Sequence, residues 1–420
     1  MKQFLSQRLS PMWSSRRRAL DVAGTAMGLL CFALSLSLSA PAGAQPNGGR
    51  GPSFVRAAWN LEPGYLMLGA HTRFNGKVAE TTRSGVTLAT TYWVVQGGFS
   101  LNYGLSRHFE AAIAPMLYQD TNRGGKGFDL PHDLYLRLKI GSFGARGSAM
   151  NYGVELAGRV PTGKTHNIPY ESYTVDKFSF GLTALASYAH DPLYPEDGLS
   201  LHFNLGYWNH NDVGEKLSNL PLAQDTSLVK QMTQEFTYGA AVIFPSEKFN
   251  FRFEIMGSGF LTAPPVSAYS REPVAYFSPG VSYKAYRWMT LDFNSDIRLS
   301  GENNTTVYGK GLSEISGLPN YPSWRAMLGM KLTLLPTSLY SSSERELLMR
   351  KAESRRELFE QIIKEQRETE AAETELERIK DERRKAEREL DRLRRILEGE
   401  AKRQQQESTG GENGDNPPQE

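Results

Sequence analysis

Asp133-Leu134-Tyr135-Leu136-Arg137-Leu138-Lys139-Ile140 alternates apolar and polar side chains without a break. A strand turns successive side chains to opposite faces, so this stretch has one greasy face (Leu134, Leu136, Leu138, Ile140) and one polar face (Asp133, Tyr135, Arg137, Lys139). The pattern recurs along the chain. Phe249, Phe251, Phe253 and Ile255 alternate with Asn250, Arg252 and Glu254. Met289, Leu291, Phe293, Ile297 and Leu299 alternate with Thr290, Asp292, Asn294, Asp296 and Arg298. Leu199 to Tyr207 and Trp324 to Leu334 repeat it, with Met327 the one misfit of the last run.

Alternation suits a soluble sandwich, which hides its apolar face. It equally suits a membrane barrel, which turns that face to lipid and the polar one to a lumen. Three features favour the barrel. The runs are about 10–13 residues, the length a tilted membrane strand needs. Aromatic residues (Tyr65, Tyr92, Trp93, Tyr103, Tyr118, Tyr207, Trp208, Trp288, Trp324) gather near strand ends, where interface girdles belong. The chain also opens with an export leader. The expected fold is an antiparallel up-and-down outer-membrane β-barrel of about 12 strands, followed by a long C-terminal α-helix. The strands are expected near 64–75, 90–103, 107–119, 130–141, 149–160, 177–189, 198–209, 232–244, 248–260, 273–284, 287–299 and 323–335. Short connections such as Gly104-Leu105-Ser106, Pro245-Ser246-Glu247 and Ala285-Tyr286 read as periplasmic turns. Longer Gly-, Asn- and Pro-rich ones, among them 76–89, 120–129, 161–176, 210–231, 261–272 and 300–322, read as extracellular loops. Closure follows from physics: an open sheet edge in lipid leaves unpaired amides at several kcal/mol each.

The leader is residues 1–44. Arg16-Arg17-Arg18 is its basic region, Ala19 to Leu38 its apolar stretch, and Ala42-Gly43-Ala44 offers small residues for cleavage before Gln45. The one Cys of the chain, Cys31, falls inside the leader, so a mature chain has no disulfide, thiolate or Cys-based metal chemistry. With 48 Lys plus Arg against 46 Asp plus Glu, a net charge of +2 argues against a nucleic-acid binder. Beyond the leader no apolar run is long enough for a membrane helix. The domain plan is a signal peptide at 1–44, a periplasmic segment at 45–63, a barrel at 64–336, a linker at 337–343, a helix at 344–403 and a disordered tail at 404–420.

Three segments resemble one outer-membrane family. Asn102-Tyr103-Gly104-Leu105-Ser106-Arg107-His108-Phe109-Glu110 is similar to its YGLT turn, followed by a hydrophobic residue and Glu. Asp133 to Lys139 is similar to its Gly-Asp strand ending in Lys, and Arg159-Val160-Pro161-Thr162-Gly163 to its Pro-Thr-Gly segment. The family is described as the MetA-pathway of phenol degradation transporters, and the match spans about residues 95–335. Pro131-His132 replaces the usual Gly before Asp133, and the long tail departs from the family. The resemblance implies an outer-membrane channel for small, often aromatic or hydrophobic compounds.

The polar faces place both signs of charge in the lumen: Arg137, Lys139, Arg159, Arg252, Arg298, Arg325 and Lys331 against Glu110, Asp133, Glu155, Glu254, Asp292 and Asp296. Two readings stay open. These residues are candidate selectivity groups of a pore, or opposite charges pair across strands and fill the bore. Ser200, His202 and Asn204 share a face, as any i, i+2, i+4 trio on a strand does. Nothing else points to catalysis, and no enzyme is expected. The seven His show no paired-ligand spacing, so no metal or cofactor is expected either. Gly124-Gly125-Lys126-Gly127 reads as a loop with no helix behind it to cradle phosphate.

From Glu344 to Arg403 there is no Pro, a single Gly, and 18 acidic and 18 basic residues. With Thr369, Leu376, Arg383, Leu390 and Leu397 at heptad position a, position d takes Ala372, Ile379, Ala386 and Leu393, seven apolar residues of nine. The expected coiled-coil seam is therefore Thr369, Ala372, Leu376, Ile379, Ala386, Leu390, Leu393 and Leu397, through which the chain would form a homo-oligomer or meet a periplasmic or peptidoglycan partner. The alternative is a solitary helix laced by i,i+4 charge pairs. The expected function is an outer-membrane channel or transporter for an unidentified small solute, with its tail in the periplasm. The alternative is a structural barrel anchor whose tail oligomerises or tethers the envelope.

Overall fold

A computed structural model describes residues 46–83, 86–121, 128–129, 132–144, 148–164, 166–167, 171–217, 228–307, 320–341 and 344–409. The leader, most of the Gly124 loop and the last eleven residues lie outside that set. Clustering of contacts divides the chain near Ser342 into a barrel unit and a helical unit.

Alternating β-branched and aromatic residues form twelve long antiparallel strands: β1 (Leu66–Arg83), β2 (Val86–Ser106), β3 (Phe109–Thr121), β4 (Leu134–Phe143), β5 (Met150–Val160), β6 (Ser179–Ala189), β7 (Ser200–Asn209), β8 (Gln234–Pro245), β9 (Phe249–Thr262), β10 (Val274–Tyr286), β11 (Met289–Arg298) and β12 (Trp324–Leu335). Phe128–Asp129 adds a two-residue bridge on β3. Each strand pairs with its sequence neighbours. β12 then closes on β1, from Leu66 opposite Leu335 to Phe74 opposite Ala326. The first and last strands thus bring both ends of the barrel chain to the same rim.

The partition of side chains identifies the solvent on each face. Leu136 is 42% exposed, Phe251 46% and Leu328 65%, whereas their neighbours Arg137 and Asp292 are 8% and 5% exposed. Apolar groups cover the outside and charged ones are enclosed, which is the arrangement of a membrane barrel and the inverse of a soluble one.

Two differences from the sequence reading concern this unit. Of residues 76–89, expected as an extracellular loop, 76–83 and 86–89 continue β1 and β2 instead; 84–85 lie outside the described residues. Lys77 faces Tyr92, Glu80 faces Ala89 and Arg83 faces Val86. Beyond Phe74 and Val94 the hairpin pairs only with itself, so it extends past the barrel rim. Its Thr-rich sequence favours strand geometry. The second difference is larger. Residues 46–62, expected in the periplasm, lie inside the barrel: Phe54, Val55, Ala57, Ala58, Trp59 and Leu61 are all buried there.

After β12 a single turn, α1 (Ser338–Ser341), occupies part of the expected linker; Tyr340 packs on Trp288 and donates to the Thr333 carbonyl at 2.6 Å. The helical unit is one helix, α2 (Glu344–Thr409). It runs six residues past the expected end because Gln404 to Thr409 contains no breaker. Pairs such as Arg356–Glu360, Arg383–Glu387 and Arg394–Glu398 run along its surface. Leu376, Ile379, Leu390, Leu393 and Leu397 are exposed on it.

Candidate functional site

The bore is crossed by the strap of residues 46–62. A strap inside a closed barrel finds no free sheet edge, so its main-chain groups are satisfied mostly by side chains. The inward residues of the strands do this. Glu254 on β9 accepts from the amides of Ser53, Phe54 and Val55 at 2.7, 2.8 and 2.9 Å. Asn204 on β7 accepts from the Arg56 amide and donates to the Arg56 carbonyl. The Ala58 amide donates to Ser187 Oγ, the Asn60 amide to Ser142 Oγ and the Leu61 amide to Glu110. Lys139 donates to the Trp59 carbonyl at 2.9 Å, and Lys331 to the Gly51 carbonyl at 3.2 Å.

Apolar side chains seat the strap further. Phe54 joins Met256, Val274, Tyr276, Tyr321 and Met327. Trp59 meets His202 edge-on at 5.4 Å, and His202 spends its ring nitrogens on Ser187 and Ser200. The Ser200–His202 pair therefore belongs to the strap seat. Glycine makes room where backbones come closest: a Cβ on Gly141 would meet the Ala58 carbonyl, and one on Gly239 would stand 2.9 Å from Val55 Cγ2.

The residues expected to line the lumen are there, and most are paired. Lys139 bridges Glu110 at 2.9 Å, and Arg159 bridges Asp133 at 2.6 Å. Arg252 bridges Asp292 at 2.8 Å and donates to Asn294; Lys331 stands 3.9 Å from Asp292. Arg325 bridges Asp296 at 3.0 Å, with Arg73 at 3.6 Å. Glu155 meets Arg56 of the strap at 3.5 Å. Arg298, half-buried, donates to the Tyr321 carbonyl at 2.7 Å. Arg137 is the exception: its buried Nε and Nη2 have no hydrogen-bond partner among the described residues. The charges pair across strands, and several also bind a separate piece of chain. Ser142, Ser187 and Asn204 were missed as site residues; Ser187 and Asn204 are in inward register on their strands, whereas Ser142 would face outward by alternation and turns inward only at a bulge, with φ of 58°.

The strap borders two cavities. One, of about 150 Å³, lies against Phe54, Val55 and Arg56 and reaches Ser172, Tyr173 and Thr174 of the long β5–β6 connection. The other, of about 110 Å³, lies against Gly49, Arg50, Ala57 and Trp59 and reaches Pro195, Arg287 and Trp288 at the short-turn end. Long connections cap the first. Tyr173, Val175, Leu217, Val229 and Ala268 form an apolar cluster above it. Tyr173 donates to Asp212 at 2.7 Å, and burial together with that carboxylate pushes its phenol well up, keeping it a donor. Glu171 in the same connection accepts from Gln96, and burial pushes its carboxyl up to about 7.

No family model and no curated protein matches the chain. Solved structures do. An outer membrane channel from Pseudomonas putida F1 is similar at 9% identity, over 66% of this chain and 98% of that one, with a TM-score of 0.41. The NanC porin is similar at 11% identity, over 64% and 100%, with a TM-score of 0.39. The P. putida toluene transporter TodX is similar at 11% identity, over 65% and 89%, with a TM-score of 0.30.

Proposed function

We propose that this protein is an outer-membrane channel for small solutes, held shut by its own N-terminal strap. The observation that carries the reading is the way residues 46–62 are seated. They lie between two cavities at opposite ends of the bore and are held largely by hydrogen bonds to inward side chains. Such bonds exchange readily with water, at a net cost of about 0.5–1.5 kcal/mol each, so the strap can leave without dismantling the wall. A barrel serving only as an anchor has no need of a removable filling. The leader and the closed barrel support an outer-membrane location, and the resemblance of residues 95–335 to phenol-degradation transporters supports small aromatic or hydrophobic solutes. Since both barrel ends share the short-turn rim, α2 would begin in the periplasm, where its exposed leucines favour self-association.

Planar-bilayer conductance tests this. Full-length protein should give small or rare openings, and deletion of 46–62 should give a steady conductance that persists when 344–420 is also removed. A folded strap-deleted barrel that stays silent would favour the anchor reading.

A further inference from the structure

We infer that the cavity between strap and outer cap is a binding site for a small aromatic carboxylate. The inference deepens the channel reading and rests on it for its biological sense, though not for its test. The cavity of about 150 Å³ is the size of an engineered apolar cavity that takes benzene. Its wall carries Phe54, Tyr135, Tyr173, Trp208, Tyr238 and Met256, faces on which a ring can pack. The lining charges sort into pairs: Arg56 with Glu155, Arg159 with Asp133, His210 with Glu235. Arg137 has Glu155 and Glu110 in its surroundings but forms an ion pair with neither. It is 8% exposed, lines the cavity, and has Nε and Nη2 without a hydrogen-bond partner among the described residues. Those two nitrogens form one edge of the guanidinium, the fork that a carboxylate bridges with both oxygens. A buried cation with that edge unpartnered calls for an anion, and the aromatic wall selects a flat apolar body behind it.

Binding is read on the full-length closed protein by isothermal titration, with benzoate, benzyl alcohol and acetate as probes. Benzoate should bind at least tenfold more tightly than either other probe. Arg137→Met should abolish the preference for benzoate while leaving benzyl alcohol binding unchanged, which also shows that the pocket is intact. Equal affinity for benzoate and benzyl alcohol, or benzoate binding indifferent to Arg137→Met, would overturn the assignment. Because no transport is measured, a silent strap-deleted barrel would count against the channel and leave this result standing.

A separate observation points to how α2 pairs: with a second copy of itself, antiparallel, centred between Arg383 and Ala386. In that register each a residue meets a d residue of the other copy, so Leu376 meets Leu393, Ile379 meets Leu390, Ala372 meets Leu397 and Arg383 meets Ala386. Large side chains face small ones at Ala372–Leu397 and Arg383–Ala386, and large apolar ones meet each other at Leu376–Leu393 and Ile379–Leu390. On the flanks Glu373 meets Arg394 and Lys380 meets Glu387, against one like pair, Glu382 with Glu389. A parallel register instead stacks Arg383 on Arg383 and Ala386 on Ala386, and on its flanks two like pairs, Glu368 with Glu373 and Glu382 with Glu387, cancel two opposite ones, Glu375 with Lys380 and Glu389 with Arg394. In a Cys31→Ser background, a mixture of full-length Leu376→Cys and Leu393→Cys proteins should crosslink under mild oxidation, while neither does so alone. Self-crosslinking of Leu376→Cys, or no crosslinking of the mixture, would rule the antiparallel pair out.

Discussion

Glu254 and Val55 are joined by a 2.9 Å bond from amide to carboxylate, and the same carboxylate holds the amides of Phe54 and Ser53. One side chain in the wall thus anchors three consecutive residues of the strap. Removing it leaves three buried donors unmet, at about 1–3 kcal/mol apiece. Glu254→Ala should therefore raise open probability in bilayers severalfold. Glu254→Gln, which keeps an acceptor oxygen, should lie between it and the parent. A conductance unchanged by Glu254→Ala would show that the strap does not depend on this seat.

The close approach at Gly239 offers a test with its own rescue. A Cβ there would stand 2.9 Å from Val55 Cγ2, tighter than ordinary contact. Gly239→Ala should loosen the strap and increase both conductance and proteolytic cutting within 46–62. Adding Val55→Ala removes the obstructing methyls and should restore the closed state. Failure of the second change to reverse the first would mean that the effect arises in the wall and not in the strap.

The wall was legible in the sequence and the strap was not, for one physical reason. Leu136 and Arg137 are assigned to opposite faces by lipid on one side and a polar bore on the other, a constraint that writes a period of two along every strand. Strap residues 46–62 meet a different wall residue at nearly every step: Glu254, Asn204, Ser187, Ser142 and Glu110 in turn. Those partners are 49 to 201 positions away, so no local pattern records them. The lumen charges were visible as inward-facing, yet their seat function depends on a chain segment that carries no periodicity. The long helix was readable from its composition and lack of breakers, because helical propensity is local.

The Arg252–Asp292 bridge should dominate the stability of the wall near β9 to β11. Asp292 also accepts from Ser282 and faces Lys331, so it compensates two cations at once. Asp292→Ala strands both in the bore, and breaking a buried pair costs about 3–5 kcal/mol. The temperature at which the folded band is lost on semi-native gels should fall by several degrees. Arg252→Met added to it removes one of the stranded charges and should recover part of the loss.

Glu171 makes the outer cap sensitive to pH near neutrality. Burial is the leading cause of its raised pKa, about 7, with Asp133 adding to it, while Arg73, Arg325 and the Gln96 amide pull the other way. In an opened cap the carboxyl regains water and titrates near its ordinary value, about 4.3. Between those two values the closed cap binds the extra proton, so closure is favoured in mild acid and weakens as pH rises through about 7. Hydrogen exchange of residues 171–178 should accordingly be slower at pH 5.5 than at pH 8, after correction for the intrinsic rate. Glu171→Gln carries no titratable proton and should flatten that difference, holding the cap at its acid-like protection across the range. An equally steep dependence in Glu171→Gln would place the sensitivity on another group.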